Sequence, residues 1–330
     1  MKPSFVSPII EAIAQKLGIE IHIEPRYGYA GQLVLPNGKT RYFQGTKFDL
    51  NSLGASEIAE DKAYARHFLQ RLGYPVPEEG IFFTDRWCEI IESERDWQAA
   101  YRYAKKLGWP VIVKPNSKSQ GSGVSEVHNK QELRQTVRSF ENRERVFLVQ
   151  RLVVGLDYRI VVLDREVISI YERRPLSVVG DGRSSVNGLL RKKQAKFVDD
   201  GRDTTIPIDD FRITNRLKRL GLSRDSRLEW GRQIILLPNA NLSTGGDAID
   251  VTGKTHPAWQ TLAIKIARDM NLRYIGIDVI SQTPLAEPPN NYVVLEINAA
   301  PGLDNYAALG QRQHARVEAM YEKVVKAMLR

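Results

Sequence analysis

The 330-residue chain has one cysteine, Cys88, so no internal disulfide can staple it, and a reducing compartment is expected. Nowhere does it hold the run of about 18 apolar residues that a membrane-spanning helix needs. The opening MKPSFVSPIIEAIAQKLG turns too polar after Ile10 for a signal-peptide core, so a cytoplasmic protein with no membrane partner is expected. Zinc-ligand spacing, an RNA-binding aromatic signature and a basic zipper are all missing, which argues against a nucleic-acid partner despite a net charge of +9. A Walker loop, a Rossmann glycine fingerprint and a Ser-His-Asp arrangement are missing too. What remains is an ordinary globular composition, 42% hydrophobic and 26% charged, long enough for a large core and more than one subdomain. The basic residues are dispersed. Their densest cluster, Arg191-Lys192-Lys193 with Lys196, reads as a solvated helix face, and the charge balance suits a polyphosphate or a carboxylate-rich substrate.

The most informative stretch is YIGIDVISQTPLAEPPNNYVVLEINAAPG, residues 274 to 302. Two β-branched and aromatic runs, 274–280 and 292–297, flank the breaker-dense TPLAEPPNN and predict adjacent strands. With a period of two, Glu296 and Asn298 share one face while Val293, Leu295 and Ile297 share the other, and Asp278 leaves its strand two residues after Gly276. Two carboxylates and an amide oxygen suit Mg²⁺, which completes its shell with water and phosphate.

Elsewhere the pattern predicts a helix over 4–17 stopped by Gly18, a strand over 19–23 and a hairpin turning at Asn37-Gly38. A helix over 59–72 follows with Lys62 near its N-terminus, then a strand over 84–91 and a helix over 96–107. A strand ending at Lys114 runs into a glycine-rich turn whose Gly121 and Gly123 let backbone N–H groups approach oxygen atoms, and a strand restarts at Val124. A helix near 130–139 leads to two apolar strands meeting at a hinge beyond Gln150, whose backbone can pair with a base edge, with Asp157 placed to accept from a ribose. Arg159, Arg173 and Arg174 follow in apolar strands and favour anion contact. His256 reads as a helix cap before Pro257, and His314 lies on a charged helix. The apolar stripe of the final helix, 312–329, reads as core packing in preference to a homodimer face.

Taken in order, EDK at Lys62, PVIVKP at Lys114, GSGV at 121–124, QRLVVGLDYR, VVGDG, NANLSTGGDAIDVTGKTHP, GID and EINAAPG resemble the ATP-grasp superfamily. More narrowly they are similar to the ligase domains of cyanophycin synthetases and bifunctional glutathione synthetases, over about residues 55–310. The resemblance implies an α+β fold of two lobes gripping ATP, with a small N-terminal domain at 1–95, a lid subdomain at 96–152 and a catalytic subdomain at 153–330. It implies that Lys62 and Lys114 hold phosphates under a lid of Gly121, Ser122, Gly123 and Val124, that Gln150, Arg151, Leu152 and Val153 line the adenine, and that Asp157 meets the ribose. Arg159, Arg173, Arg174 and Asn241, with the loop Ser243, Thr244, Gly245 and Gly246, would face the acceptor and the transferred phosphoryl group. Asp278, Glu296 and Asn298 would hold two Mg²⁺ ions, Mn²⁺ substituting.

Three positions depart from the family pattern: Gln150 stands where relatives usually have Glu, Leu237-Pro238 where an arginine is common, and Tyr306 where many show histidine. The chain carries neither the Mur-ligase-like half of cyanophycin synthetase nor the glutamate–cysteine ligase half of the bifunctional enzymes, so it is expected to be neither in full. The expected activity is ATP-dependent joining of a carboxylate to an amine through an acyl phosphate, on amino acids or small peptides. A graspetide-type peptide-modifying ligase and a non-catalytic nucleotide sensor are the alternatives. Glu296→Gln and Asp278→Asn are expected to stop phosphate release and leave the fold intact.

Overall fold

The computed structural model describes residues 4–117, 123–200, 202, 204–308 and 310–329, with only the backbone of Asn305. Its platform is a five-stranded antiparallel sheet in the order Asp247–Asp250, Glu166–Arg174, Leu156–Leu163, Tyr274–Ser281, Tyr292–Asn298. Alternation along these strands splits the sheet into two chemistries. Tyr158, Ile160, Val162, Ile275, Ile277 and Val279 face the helix Pro257–Asp269, which buries Trp259, Ala263 and Ile266 against them. On the other face, Val161, Tyr171 and Tyr274 pack under the N-terminal unit.

Asp278 lies opposite Glu296, and Gly276 opposite Asn298, as a pair of adjacent strands requires. The expected alternation fails at one point. The register steps from Asp278↔Glu296 to Val279↔Val294, so Leu295 is an extra residue in a bulge. Val294 and Ile297 therefore both enter the core, whereas Leu295 turns to the same cleft as Glu296.

The first fifty residues form a four-stranded antiparallel meander, Glu20–Ile23, Ala30–Val34, Thr40–Gln44 and Lys47–Phe48, preceded by the helix Val6–Leu17. This unit shares one core with the C-terminal helix Gln311–Met328, whose Val317, Tyr321, Val324 and Val325 are fully buried there. The stripe of that helix is thus spent inside the chain.

A second sheet, ordered Glu79–Phe83, Val146–Arg151, Val111–Pro115, Ser125–Val127, carries the helices Trp97–Leu107 and Lys130–Phe140 on a core of its own. Two sequence expectations change here. Residues 85–91 are a helix, Asp85–Ile91, not a strand: the Thr84 carbonyl accepts from the Trp87 and Cys88 amides and starts a turn, leaving Ile90 and Ile91 exposed. The strand lies earlier, at Glu79–Phe83, and pairs with Val146–Arg151, so a boundary at 95/96 would cut this sheet's outer strand from it. A third change concerns 59–72, which is two helices, Leu53–Glu60 and Lys62–Arg71. The break is at Asp61, whose extended backbone frees its carboxylate to accept from Tyr64 N, and Lys62 becomes the first helical residue.

Between Arg174 and Asp247 an inserted unit pairs Ser177–Val179 with Gln233–Ile235 and packs the helices Val186–Asp199 and Phe211–Arg219 on a fourth core. Helix Phe211–Arg219 reaches the second sheet: Arg212 donates to the Val124 carbonyl at 2.6 Å, and Arg219 lies 3.1 Å from Glu132.

Candidate functional site

A cleft opens between the second sheet and the five-stranded platform. Its lining mixes two chemistries. Ile112, Val124, Leu152, Val153, Ile280 and Leu295 are apolar, and Gln150, Lys114, Asn239 and Asn241 bring polar side chains. Lys62, Asp157, Arg173, Asp278 and Glu296 make up its most highly charged part.

The polar end is built by strand register. Asp278 on Tyr274–Ser281 is paired with Arg159 on Leu156–Leu163, and Asp157 with Arg173 on Glu166–Arg174. Arg159 Nε and Nη2 donate to the two Asp278 carboxylate oxygens at 2.6 and 2.7 Å, and Arg173 Nη1 lies 2.9 Å from Asp278 Oδ2. Arg173 Nε and Nη2 both donate to Asp157 Oδ1, at 2.9 and 2.7 Å. Burial works to raise the Asp278 carboxyl, but the two guanidiniums outweigh it and hold it below its usual range. For Asp157 burial wins: its carboxyl is pushed up to about 6 although Arg173 opposes the shift. Bidentate arginine–carboxylate pairs of this kind fix side-chain planes as well as charge.

Glu296 is different. Its nearest cation in an ion pair, Lys62 Nζ, is 3.9 Å away, and Asn298 Nδ2 reaches its Oε1 only at 3.4 Å. Its carboxylate is part-buried beside Asn298 and cross-strand from Asp278. Among the described residues no group of three or more His, Cys, Asp and Glu is poised for a metal ion. The donors that fit Mg²⁺ are thus Glu296 and Asn298, with Asp278 already carrying two arginines.

At the other end Lys114 is buried, and its Nζ donates to Gln150 Oε1 at 2.6 Å. Burial lowers the Lys114 ammonium pKa, and Glu79, 3.9 Å away, opposes that shift. Glu79 is itself nine-tenths buried, its carboxyl raised by burial, and its Oε1 has no hydrogen-bond partner among the described residues. Asn116, just past Lys114, ties the two lobes together: its Oδ1 accepts from Ala63 N and its Nδ2 donates to Asp61 Oδ2. Lys62 Nζ lies 3.5 Å from the Asn116 carbonyl.

Of the residues singled out from sequence, Lys62, Lys114, Val124, Gln150, Leu152, Val153, Asp157, Arg173, Asn241, Asp278 and Glu296 line this cleft. Arg159, Ser243 and Asn298 line a continuous second cleft, walled further out by Val6, Tyr29, Thr46 and Ala300. Gly121 and Ser122 lie outside the described residues. Gly123 has φ +78°, and a Cβ there would press on Pro115 and Phe140.

Several placements correct the sequence expectation. Arg151 and Arg174 neighbour cleft residues in sequence and therefore point the opposite way along their strands. Arg151 pairs with Glu78 and bonds the Leu107 carbonyl, and Arg174 is exposed beside Glu172. Thr244, Gly245 and Gly246 shape the loop but line neither cleft: a Cβ on Gly246 would lie 2.6 Å from the Arg174 carbonyl. Lys193 is not a solvated side chain, since it reaches Asp247 and the Ser177 carbonyl. His256 caps its helix by accepting from Ala258 N, and His314 packs edge-on to Phe5. Tyr306 is fully buried, stacked on Tyr171 at 5.1 Å, and lines neither cleft.

Glu79, Asn116 and Arg202 were missed. Arg202, buried on the Phe197 ring, holds the 241–246 loop by donating to the Gly246 carbonyl and to Asp247. Their partners are distant in sequence, so no local spacing marks them.

Residues 61–207 match the family model of the D-ala D-ala ligase C-terminus, and residues 239–316 that of the RimK-like ATP-grasp domain. The chain is 30% identical over 286 residues to a cyanophycin synthetase of Crocosphaera subtropica, covering 84% of this chain and 31% of that one. It is 28% identical over 305 residues to a glutathione biosynthesis bifunctional protein of Clostridium perfringens, covering 89% and 37%. It spans about a third of the length of the curated relatives it matches. A bifunctional glutathione synthetase from Pasteurella multocida shares the fold, with a TM-score of 0.57 and 24% identity over 96% of this chain and 44% of that one.

Proposed function

The chain belongs to the ATP-grasp superfamily, and from that premise we propose that it is an ATP-dependent carboxylate–amine ligase working through an acyl phosphate. The observation that carries the reading is one cleft between two sheets, lined both by apolar side chains and by a dense set of paired charges. In this reading the base enters between Ile112, Leu152 and Leu295, and Lys114 and Lys62 lie along the phosphates. Asp157 is committed to Arg173 and would position that arginine more than it would read a ribose.

The acid's carboxylate oxygen attacks the γ-phosphorus of ATP, ADP leaves, and an amine then displaces phosphate from the acyl phosphate to give the amide. Phosphoryl transfer of this kind needs alignment and charge neutralisation more than a nucleophilic side chain. Arg159 and Arg173, locked by Asp278 and Asp157, supply fixed positive charge at the junction of the two clefts. Asn241 and Ser243 sit where the acceptor would lie, on a loop that Arg202 holds in place. Magnesium held by Glu296 and Asn298, with Asp278 behind them, would screen the phosphate oxygens.

The acid and amine enter from the second cleft, whose outer wall is the N-terminal helix and meander. We take amino acids or small peptides as the substrate class and keep a peptide-modifying ligase as a second reading. We place the lid unit at about residues 79–151, on strand pairing, with the N-terminal unit before it and the catalytic unit after. No helix among the described residues is long and apolar enough to cross a membrane. We assign the protein to the cytoplasm on its single cysteine.

Purified protein incubated with Mg-ATP and pools of amino acids or peptides should release ADP and yield a product whose mass equals acid plus amine minus water. Nucleotide binding without turnover on any pool would favour a sensor instead.

A further inference from the structure

Residues 208–238 lie between the two segments that match family models, and they carry the helix Phe211–Arg219 of the inserted unit. Ile213 and Leu217, four residues apart, bury one face of that helix in the unit's own core. Arg212, Asn215 and Arg219 recur at helical spacing on another face, and all three reach across to the unit built on the second sheet. Arg212 Nη1 donates to the Val124 carbonyl at 2.6 Å, and Asn215 Nδ2 to Gln135 Oε1 at 3.1 Å. Arg219 Nη1 donates to both Glu132 carboxylate oxygens at 3.1 Å.

Arg212 is aimed by its own helix cap. Asp210, the N-cap residue, accepts from Arg212 Nε and Nη2, which leaves Nη1 for Val124. Val124 lines the cleft and adjoins Ser125, the strand partner of Val113 beside Lys114. Arg212 lines neither cleft, so what it does there it does through the Val124 backbone. Resting on the nucleotide reading above, we propose that Arg212 is a positioning residue. From the inserted unit it holds the Val124 wall over bound nucleotide, and Asn215 and Arg219 extend the clasp along the helix Lys130–Phe140.

Affinity falls with the fraction of molecules whose site is assembled, so loosening the wall weakens binding although no ligand-contacting group is removed. Calorimetric titration of the full chain with Mg-ADP reads that fraction, with thermal unfolding measured in parallel. Arg212→Ala should weaken Mg-ADP about tenfold, and Arg212→Lys, which keeps a cationic donor, should recover to within about threefold of the wild type. Arg219→Ala, whose partner lines neither cleft, should weaken it about threefold. Arg216→Ala is the control on the same helix, because Arg216 bonds the Ile235 carbonyl inside its own unit; affinity there should stay within about twofold. A role confined to holding the inserted unit together would lower the unfolding temperature and leave Mg-ADP affinity in place. Wild-type affinity in folded Arg212→Ala, or in folded Arg219→Ala should the first variant not fold, overturns the inference and leaves the ligase reading standing. Equal weakening by Arg216→Ala and Arg212→Ala overturns it too. Failure of the wild type to bind Mg-ADP overturns both.

Discussion

Where the polar end of the cleft sets two guanidiniums against two carboxylates in one buried network, the apolar end holds a single ammonium against an amide and a distant glutamate. The difference bears on what each residue can do. In the network each charge is needed to make its neighbours tolerable, so Asp278 and Asp157 are structural partners of Arg159 and Arg173 before they are ligands of anything else. At the apolar end Gln150 carries no charge, and its carbonyl oxygen accepts from the buried Lys114.

The sharpest way to break this contrast is Asp278→Asn. From sequence alone it should spare the fold; the structure predicts otherwise, because Arg159 and Arg173 would lose their shared anion. Chemical denaturation should show a loss of about 3–5 kcal/mol, together with lost turnover. Next in size is Asn116→Ala, which removes the acceptor for Ala63 N and the donor to Asp61 and so loosens one lobe from the other. A loss of about 1–2 kcal/mol in the same assay is expected.

A subtler effect concerns Asp157, whose carboxyl is raised from 3.8 to about 6 in the folded chain by burial, with Arg173, Asp278 and Arg159 around it. Between those values the native state holds a proton that the unfolded chain has lost. Stability from this group is therefore fully present below pH 3.8, falls as pH rises through that window, and is gone above about 6. Urea midpoints across pH 4–7 should show that slope in the wild type and a flatter one in Asp157→Asn. The smallest effect belongs to Arg174→Ala. With its side chain exposed beside Glu172, it should change stability by no more than about 0.5 kcal/mol and turnover by less than about twofold.

The legible part of the fold was the part written in periodic apolar residues. Tyr274–Ser281 and Tyr292–Asn298, the hairpin at Gly38, the helix begun at Asp96 and the buried stripe of the last helix all form where their spacing implies. What escaped had other causes. Arg151 and Arg174 were drawn into the site by reading contiguous runs as motifs, although a strand turns alternate residues away. The bulge at Leu295 and the break at Asp61 are single-residue events that averaged patterns smooth over. Helix Asp85–Ile91 forms although its own isoleucines stay exposed, because Thr84 ends the preceding strand and its carbonyl starts the turn. Asn116 bonds Asp61 from 55 residues away, and Arg202 bonds Gly246 from 44, distances at which one sequence carries no pairing signal.

In the proposed reading Glu296, whose ion pair among the described residues is with Lys62 at 3.9 Å, holds the metal that accompanies the nucleotide. Electron paramagnetic resonance of Mn²⁺ added with ADP tests it directly, comparing the wild type with Glu296→Gln at equal protein concentration. Nucleotide-dependent bound manganese is expected in the wild type, with its loss in the folded variant. Equal manganese binding by the two proteins would contradict it.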